Sequence, residues 1–158
     1  MALVNVLYAG SFDPVTNGHL DIIRRTQKWA GTLTVLVMQN EAKTPLFSLE
    51  ERVALLRKSI GDERVRVESG TGLTAAYAAA HHIDVLVRGV RGVADCEDEQ
   101  RQAHYNRLLA PQIETIWLPS RPELQFVSSS AIREIWRLGG DISALVPPCV
   151  VDALSKKK

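Results

Sequence analysis

The fold of this chain is decided by the stretch Gly10-Ser11-Phe12-Asp13-Pro14-Val15-Thr16-Asn17-Gly18-His19. A short apolar run, residues 3–8, precedes it and predicts a buried strand, and an amphipathic run, residues 20–29, follows it and predicts a helix. A glycine-bearing turn between a strand and a helix makes a phosphate site, because the free N–H groups and the positive dipole end of the helix face the turn. Ser11 adds a hydroxyl there, and His19 adds a ring donor.

Strand-like and helix-like patterns alternate along the rest of the chain. The expected strands are short and apolar or β-branched, and they cover residues 3–8, 32–38, 65–68, 85–88 and 115–118. The expected helices cover residues 20–29, 48–60, 73–81, 96–109 and 130–138. Ser48 and Glu51 form a capping box at the start of the second helix. This order predicts one α/β domain over residues 1–158, a doubly wound, five-stranded parallel sheet of the Rossmann-like type, with ligands beyond the carboxyl ends of the strands.

A second group of hydroxyls stands at the predicted start of a later helix. Ser128, Ser129 and Ser130 precede Arg133, which lies one turn into that helix. Capping alone would use one serine, and the spare hydroxyls and the arginine suit phosphate. Two phosphate-type helix starts in one small domain indicate a nucleoside triphosphate as the ligand.

Composition narrows the classes of function. The net charge of +1 lacks the basic surplus of a nucleic-acid-binding surface, and no apolar run approaches the roughly 20 residues that cross a bilayer. Cys96 and Cys149 form neither a C-x-x-C pair nor a metal-ligand spacing, which predicts two free thiols and a cytoplasmic protein. A zinc site from His81, His82 and Cys96 has no supporting spacing, and the tail Lys156-Lys157-Lys158 is expected to be a frayed, solvated end.

Four segments, in order, carry a resemblance to a known family. Thr16-Asn17-Gly18-His19 matches the T/H-x-G-H signature of the nucleotidyltransferase superfamily, and Ser128-Ser129-Ser130-Ala131-Ile132-Arg133 resembles its second signature. Within that superfamily the chain resembles the bacterial phosphopantetheine adenylyltransferases. The additional matching segments are Lys43-Thr44-Pro45-Leu46-Phe47-Ser48-Leu49-Glu50-Glu51-Arg52 and Arg88-Gly89-Val90-Arg91-Gly92-Val93-Ala94-Asp95. The resemblance spans essentially the whole chain at nearly constant spacing.

The resemblance implies a role for each matching residue. His19 would stabilise the transition state by donating to the α-phosphate of ATP, and Lys43 and Arg91 would complete the catalytic group. The residues implied to bind ATP are Ser11, Phe12, His19, Gly89, Val90, Arg91, Glu99, Leu124, Gln125, Phe126, Val127, Ser128, Ser129 and Ser130. Those implied to bind the phosphorylated acceptor are Ser11, Lys43, Thr74 and Arg88.

Each of these residues also has an ordinary interpretation. Lys43 could be a solvated loop lysine, Glu99 an exposed helix acid, and the three serines only a helix cap. Arg88 stands apart, because a charge at the carboxyl end of an apolar strand faces the ligand edge of the sheet even without the resemblance.

The reaction implied by the resemblance is adenylyl transfer from ATP to 4′-phosphopantetheine, which gives dephospho-coenzyme A and pyrophosphate. No metal site on the protein is implied, and Mg²⁺ would be bound mainly through the ATP phosphates. The family also implies a homohexamer and feedback inhibition by coenzyme A, with no nucleic-acid or membrane partner. The alternatives are sister transferases acting on nicotinate mononucleotide or glycerol phosphate, a nucleotide-sensing domain without turnover, and an RNA-binding module, which the near-neutral charge disfavours.

One segment departs from the family pattern. Relatives often read aromatic-Glu-aromatic-Glu where this chain reads Cys96-Glu97-Asp98-Glu99. Asp95, Asp98 and Glu99 share one helical face by their spacing. Two explanations stay open: acids favour the first turn of a helix, or Asp98 repels the triphosphate unless Mg²⁺ neutralises it.

Overall fold

A parallel sheet with helices on both faces forms the protein. The computed structural model describes residues 4–40, 42 and 44–157, so the predicted site residue Lys43 lies outside the described residues. The strands are β1 (Asn5–Gly10), β2 (Thr32–Met38), β3 (Val65–Gly70), β4 (Val85–Val90) and β5 (Glu114–Pro119). The helices are α1 (Asn17–Thr26), α2 (Leu49–Ile60), α3 (Thr74–Ala80), α4 (Val93–Leu109), α5 (Ser129–Arg137) and α6 (Pro148–Ser155), with a 3₁₀ turn at Pro122–Leu124.

The sheet runs in the order β3-β2-β1-β4-β5, and each neighbouring pair is parallel. The chain moves outward from β1 to β3 and then returns to place β4 on the other side of β1. The carboxyl ends of β1 and β4 therefore flank the switch point at which such sheets bind ligands. The predicted five-stranded, parallel α/β sheet is confirmed.

The two faces of the sheet bury two separate apolar cores. Side chains alternate along β1, so that Val6 and Tyr8 belong to the larger core and Leu7 and Ala9 to the smaller one. The larger core is closed by α1, α2, α5 and α6, and the smaller core is closed mainly by α3. The buried strands hold the site-bearing turns at a fixed separation.

Local capping chemistry sets the helix ends. Ser48 and Glu51 form the predicted capping box of α2, and Gly61 ends that helix with a left-handed φ of 62°. Helix α1 begins at Asn17 rather than at the predicted residue 20, because Thr16 caps it. It ends at Thr26, three residues before its predicted end.

The C-terminal part of the chain differs from the sequence prediction. Helix α6 was not predicted, although Pro148 at its first turn is a helix-start signal. The expectation of a frayed tail is wrong at Lys157, whose Nζ lies 3.2 Å from a carboxylate oxygen of Glu51 and 4.7 Å from the centre of the Phe47 ring. The ion pair and the ring contact dock this residue on the start of α2. In the described part of the chain, no helix is long and apolar enough to cross a membrane.

Candidate active site

The main cavity of the described structure opens at the carboxyl ends of β1 and β4. Its volume is about 850 Å³, and it is lined by the turn after β1, the start of α1, the end of β4, one face of α4 and the start of α5. The predicted site residues that line it are Ser11, Phe12, His19, Arg88, Gly89, Arg91, Glu99, Val127, Ser128, Ser129 and Ser130. The two phosphate-type helix starts, 118 residues apart by chain from Ser11 to Ser129, thus meet at one cavity.

Side chains from other elements fix the turn that follows β1. The Asp13 carboxylate accepts hydrogen bonds from the backbone N–H groups of Leu46 (2.8 Å) and Phe47 (2.9 Å). Arg133 donates to the carbonyl of Asp13, and the Ser129 hydroxyl donates to the carbonyl of Pro14 at 2.8 Å. These hydrogen bonds satisfy polar groups of the turn that have no strand or helix partner, and they link the turn to the β2–α2 loop and to α5.

His19 is held by the cap of its own helix. The backbone N–H of Thr16 donates to Nδ1 of His19 at 3.0 Å, while the His19 backbone N–H donates to the Thr16 hydroxyl at 3.3 Å. Nδ1 is therefore an acceptor, and the proton of the neutral ring is on Nε2. This cap fixes both the ring and its tautomer, and His19 presents a neutral N–H donor at the cavity.

The surroundings of His19 keep the imidazole uncharged. Burial, followed by the positive charges of Arg91 and Arg88, lowers the pKa of His19 from 6.5 to about 4. The ring lies edge-on to Phe12, with 4.9 Å between the ring centres. At neutral pH the histidine can donate a hydrogen bond but does not act as a charged acid.

Arg88 forms the strongest ion pair of the cavity. Its Nε and Nη2 atoms each lie 2.8 Å from one carboxylate oxygen of Glu99, and Nη1 donates to the carbonyl of Ala9 at 2.7 Å. Glu99 is no ordinary exposed helix acid, since its side chain is 13% exposed. Burial also raises the pKa of the nearby Tyr8 to about 12, so the phenol stays neutral. Arg88 keeps free N–H groups for a ligand, and the implied contact of Glu99 with ATP stays a prediction.

Two further acid–base pairs lie along the α4 face of the cavity. Arg91 pairs with Asp95 at 2.9 Å, and Asp98 pairs with Arg101 at 3.0 Å. The Asp98 side chain is 76% exposed, and it lines the cavity together with Asp95 and Glu99, as the helical spacing predicted. Exposed pairs of this kind contribute little to stability.

The three serines have separate contacts. Ser128 caps α5 by accepting from the Ala131 backbone N–H at 3.1 Å, as one serine was expected to do. The Ser129 hydroxyl donates to the carbonyl of Pro14, and the Ser130 hydroxyl accepts from Nη2 of Arg133 at 3.3 Å. Because Ser128 alone caps the helix, Ser129 and Ser130 are not needed for capping, and both line the cavity.

Several predicted residues do not line this cavity. They are Thr74, Val90, Leu124, Gln125 and Phe126. Phe126 is 87% exposed, and Val90 is buried in the sheet. Their assignment to ATP or to the acceptor stays a prediction.

Sequence reasoning did not assign Arg52, Asp13 or Tyr8 to the site. Arg52 is buried, lines the cavity and donates to the carbonyl of Ser11 at 2.8 Å. A signal was present, because Arg52 falls on the apolar face of α2, three residues after Leu49 and four before Leu56. A charge at such a position is either paired or functional.

Comparison with known proteins identifies the family. The family model described as cytidylyltransferase-like matches residues 7–135. The phosphopantetheine adenylyltransferase of Haemophilus ducreyi is 46% identical over 97% of this chain and 96% of its own length. This chain belongs to the phosphopantetheine adenylyltransferase family.

Other members of the phosphopantetheine adenylyltransferase family give the same result. The enzyme named for this activity in a Synechococcus strain is 45% identical over 96% of both chains, and that of Nostoc punctiforme is 48% identical over 90% of this chain and 78% of its own. Among solved structures, a putative nicotinate-nucleotide adenylyltransferase from Vibrio parahaemolyticus superposes with a TM-score of 0.71. It is 15% identical, covering 98% of this chain and 93% of its own, and this likeness supports the fold alone.

The lowered pKa of His19 makes stability depend on pH. Between pH 6.5 and about 4 the unfolded chain binds a proton at His19 that the folded protein does not, so we expect stability to fall as the pH falls through this window. Urea unfolding at pH 7, 5.5 and 4.5 measures the loss, and NMR titration of the ring measures the pKa directly. His19→Asn keeps an acceptor for the Thr16 N–H and should show a smaller loss. A ring that titrates near 6.5 would contradict the expectation.

Proposed function

We propose that the protein transfers the adenylyl group of ATP to 4′-phosphopantetheine and releases pyrophosphate and dephospho-coenzyme A. The observation that carries the proposal is near-full-length similarity to phosphopantetheine adenylyltransferases, in a chain most of whose described matching residues line one cavity. In this reaction an oxygen of the acceptor phosphate attacks the α-phosphorus of ATP. The bond from the α-phosphorus to the bridging oxygen breaks, and its electron pair leaves with pyrophosphate.

No general base is required for this attack. A phosphate monoester is largely dianionic near neutral pH, so the attacking oxygen carries no proton that must be removed. The chain then contributes position and charge. Arg88, with N–H groups to spare beside Glu99, suits the acceptor phosphate, and Arg91 suits the nucleotide. The assignment of the acceptor to Lys43 rests on the sequence resemblance.

His19 suits the developing charge on the α-phosphate. Its neutral ring donates through Nε2, and the Thr16 cap holds that ring in place before the substrates arrive. A fixed donor aimed at a charge that grows in the transition state stabilises that state more than the ground state.

The acidic side chains along α4 at the cavity are each paired with an arginine. Asp95 and Glu99 pair with the arginines of the cavity, and Asp98 pairs with Arg101. Within residues 4–40, 42 and 44–157, no three metal-ligating side chains converge on a point. Mg²⁺ in nucleotide sites is bound largely by substrate phosphates and water, and we propose that the ATP phosphates bind it here.

Pyrophosphate release tests the proposed function. The protein is incubated with ATP, Mg²⁺ and one acceptor at a time: 4′-phosphopantetheine, nicotinate mononucleotide or glycerol 3-phosphate. Release is expected with 4′-phosphopantetheine. Release with another acceptor would assign a sister activity, and tight ATP binding without release would indicate a sensor.

Removal of the His19 ring should abolish most turnover. We expect His19→Ala to lower kcat by roughly 10²–10³, the loss typical of one oxyanion donor, with a much smaller effect on ATP binding. Steady-state kinetics and calorimetry measure the two quantities separately. A variant with nearly normal kcat would end the assignment of His19 to the transition state.

Arg88 should discriminate for the acceptor phosphate. Arg88→Ala is expected to raise the Michaelis constant for the phosphorylated acceptor far more than that for ATP, and Lys43→Ala to do the same. Arg64→Ala, which removes an exposed arginine paired with Asp62, is the control and should change neither constant. A larger effect on ATP in both site variants would mean that the two subsites are exchanged.

We also propose the assembly and regulation that the family implies. A homohexamer is supported by the exposed apolar side chains of α4 and β5, which include Leu108, Leu109 and Trp117. A mass near the 17.5 kDa of one chain, measured in solution at micromolar concentration, would contradict it. Inhibition by coenzyme A and a cytoplasmic location stay predictions.

A further inference from the structure

The arginines that line the cavity differ in one respect. Arg88 pairs with Glu99 at 2.8 Å, Arg91 pairs with Asp95 at 2.9 Å, and Arg133 lies 3.9 Å from the Asp13 carboxylate. For Arg52, no carboxylate of the described residues lies within 4.0 Å. The charge of Arg52 also acts on the exposed carboxyl of Glu50, but from beyond ion-pair distance. Arg52 is thus the one of these four arginines without a direct ion-pair partner among the described residues.

Arg52 is also the most deeply placed of these arginines. It is 4% exposed and comes from the first turn of α2. Nη1 donates to the carbonyls of Ser11 (2.8 Å) and Met38 (3.2 Å), and Nε lies 3.4 Å from the carbonyl of Ser48. The guanidinium therefore ties the turn after β1 to the end of β2. Its two Nη2 N–H groups have no acceptor among the residues that the structure describes.

An unbalanced buried charge destabilises a folded protein. Burial of an ion without a direct counter-ion is unfavourable, and hydrogen bonds to carbonyls offset only part of the lost solvation. A neutral N–H donor could make the same hydrogen bonds to the carbonyls of Ser11 and Met38 without burying a charge. The requirements of folding alone therefore do not explain a positive charge at this position. Because Arg52 lines the cavity, an anionic ligand can bring the counter-charge to it.

We propose that Arg52 is a positioning residue that holds the Ser11 turn and supplies the positive charge that a phosphate group of the bound ligand neutralises. The inference rests on the proposed function in that the ligand carries phosphate. The phosphate can come from ATP or from the acceptor, since both bear the same chemistry. Arg52 then acts with Arg88 and Arg91, but its charge becomes balanced only when the site is filled.

Two variants separate the charge from the hydrogen bonds. Arg52→Gln keeps an N–H donor and removes the charge. Arg52→Lys keeps the charge and removes the planar guanidinium with its several N–H donors. Arg57→Gln is the matched control, because Arg57 lies on the same helix, donates to the carbonyl of Val67 at 2.8 Å and does not line the cavity. Glu41→Gln is measured alongside, since Glu41 precedes Arg52 in the sequence and lies outside the described residues.

Calorimetry measures, for each variant, the dissociation constants of ATP, adenosine, 4′-phosphopantetheine and pantetheine. Arg52→Gln is expected to weaken binding of at least one phosphorylated ligand about tenfold or more, the loss typical of a charge-assisted contact, and to leave its phosphate-free counterpart unchanged. Arg52→Lys should recover most of this loss. The ligand whose affinity falls identifies which phosphate Arg52 serves.

Three binding results would overturn the proposal. They are unchanged affinity for both phosphorylated ligands in Arg52→Gln, equal weakening of phosphorylated and phosphate-free ligands, and the same loss in Glu41→Gln or Arg57→Gln. Thermal unfolding without ligand gives a further check, because the charge should not stabilise the empty protein. An Arg52→Gln protein that unfolds where Arg52→Lys folds would also overturn it. Binding is measured without turnover, so a wild-type protein that releases no pyrophosphate would refute the proposed function and leave this result standing.

Discussion

The structure depends on how the backbone of the turn between β1 and α1 is satisfied. Residues 11–15 belong to no strand or helix, and their polar groups would be unpaired without help from elsewhere. Asp13 accepts two N–H groups from the β2–α2 loop, while Arg52 and Arg133 donate to carbonyls of the turn from α2 and α5. Three distant segments are thus fixed around one short stretch. The position of His19 follows, because its helix begins where that stretch ends.

The same arrangement explains why the site uses a neutral histidine beside arginines. Neighbouring positive charges make a second cation unfavourable, and burial adds to that effect. The Thr16 cap occupies Nδ1, so the one remaining ring donor is Nε2. The fold therefore determines the charge, the tautomer and the position of the ring together, before any ligand is present.

Local chemistry made much of the fold predictable. The capping box of Ser48 and Glu51 marked the start of α2, and the apolar runs predicted strands that begin and end within two residues of those observed. The bidentate pair of Arg88 and Glu99 was not predictable, because packing of α4 beside β4 creates it. The sequence puts Arg52 on the apolar face of α2, but its place at the site depends on tertiary contacts with the carbonyls of Ser11 and Met38.

The pairing of cavity arginines with acids affects how a ligand arrives. Opposite charges only 2.8–2.9 Å apart, as in the Arg88 and Arg91 pairs, cancel each other at distances beyond the Debye length of about 8 Å at physiological ionic strength. These two pairs therefore contribute little to the field that an anion meets in bulk water. We expect these two pairs to add little to the salt dependence of ligand association. Their individual charges act mainly on a ligand that is already in contact with them.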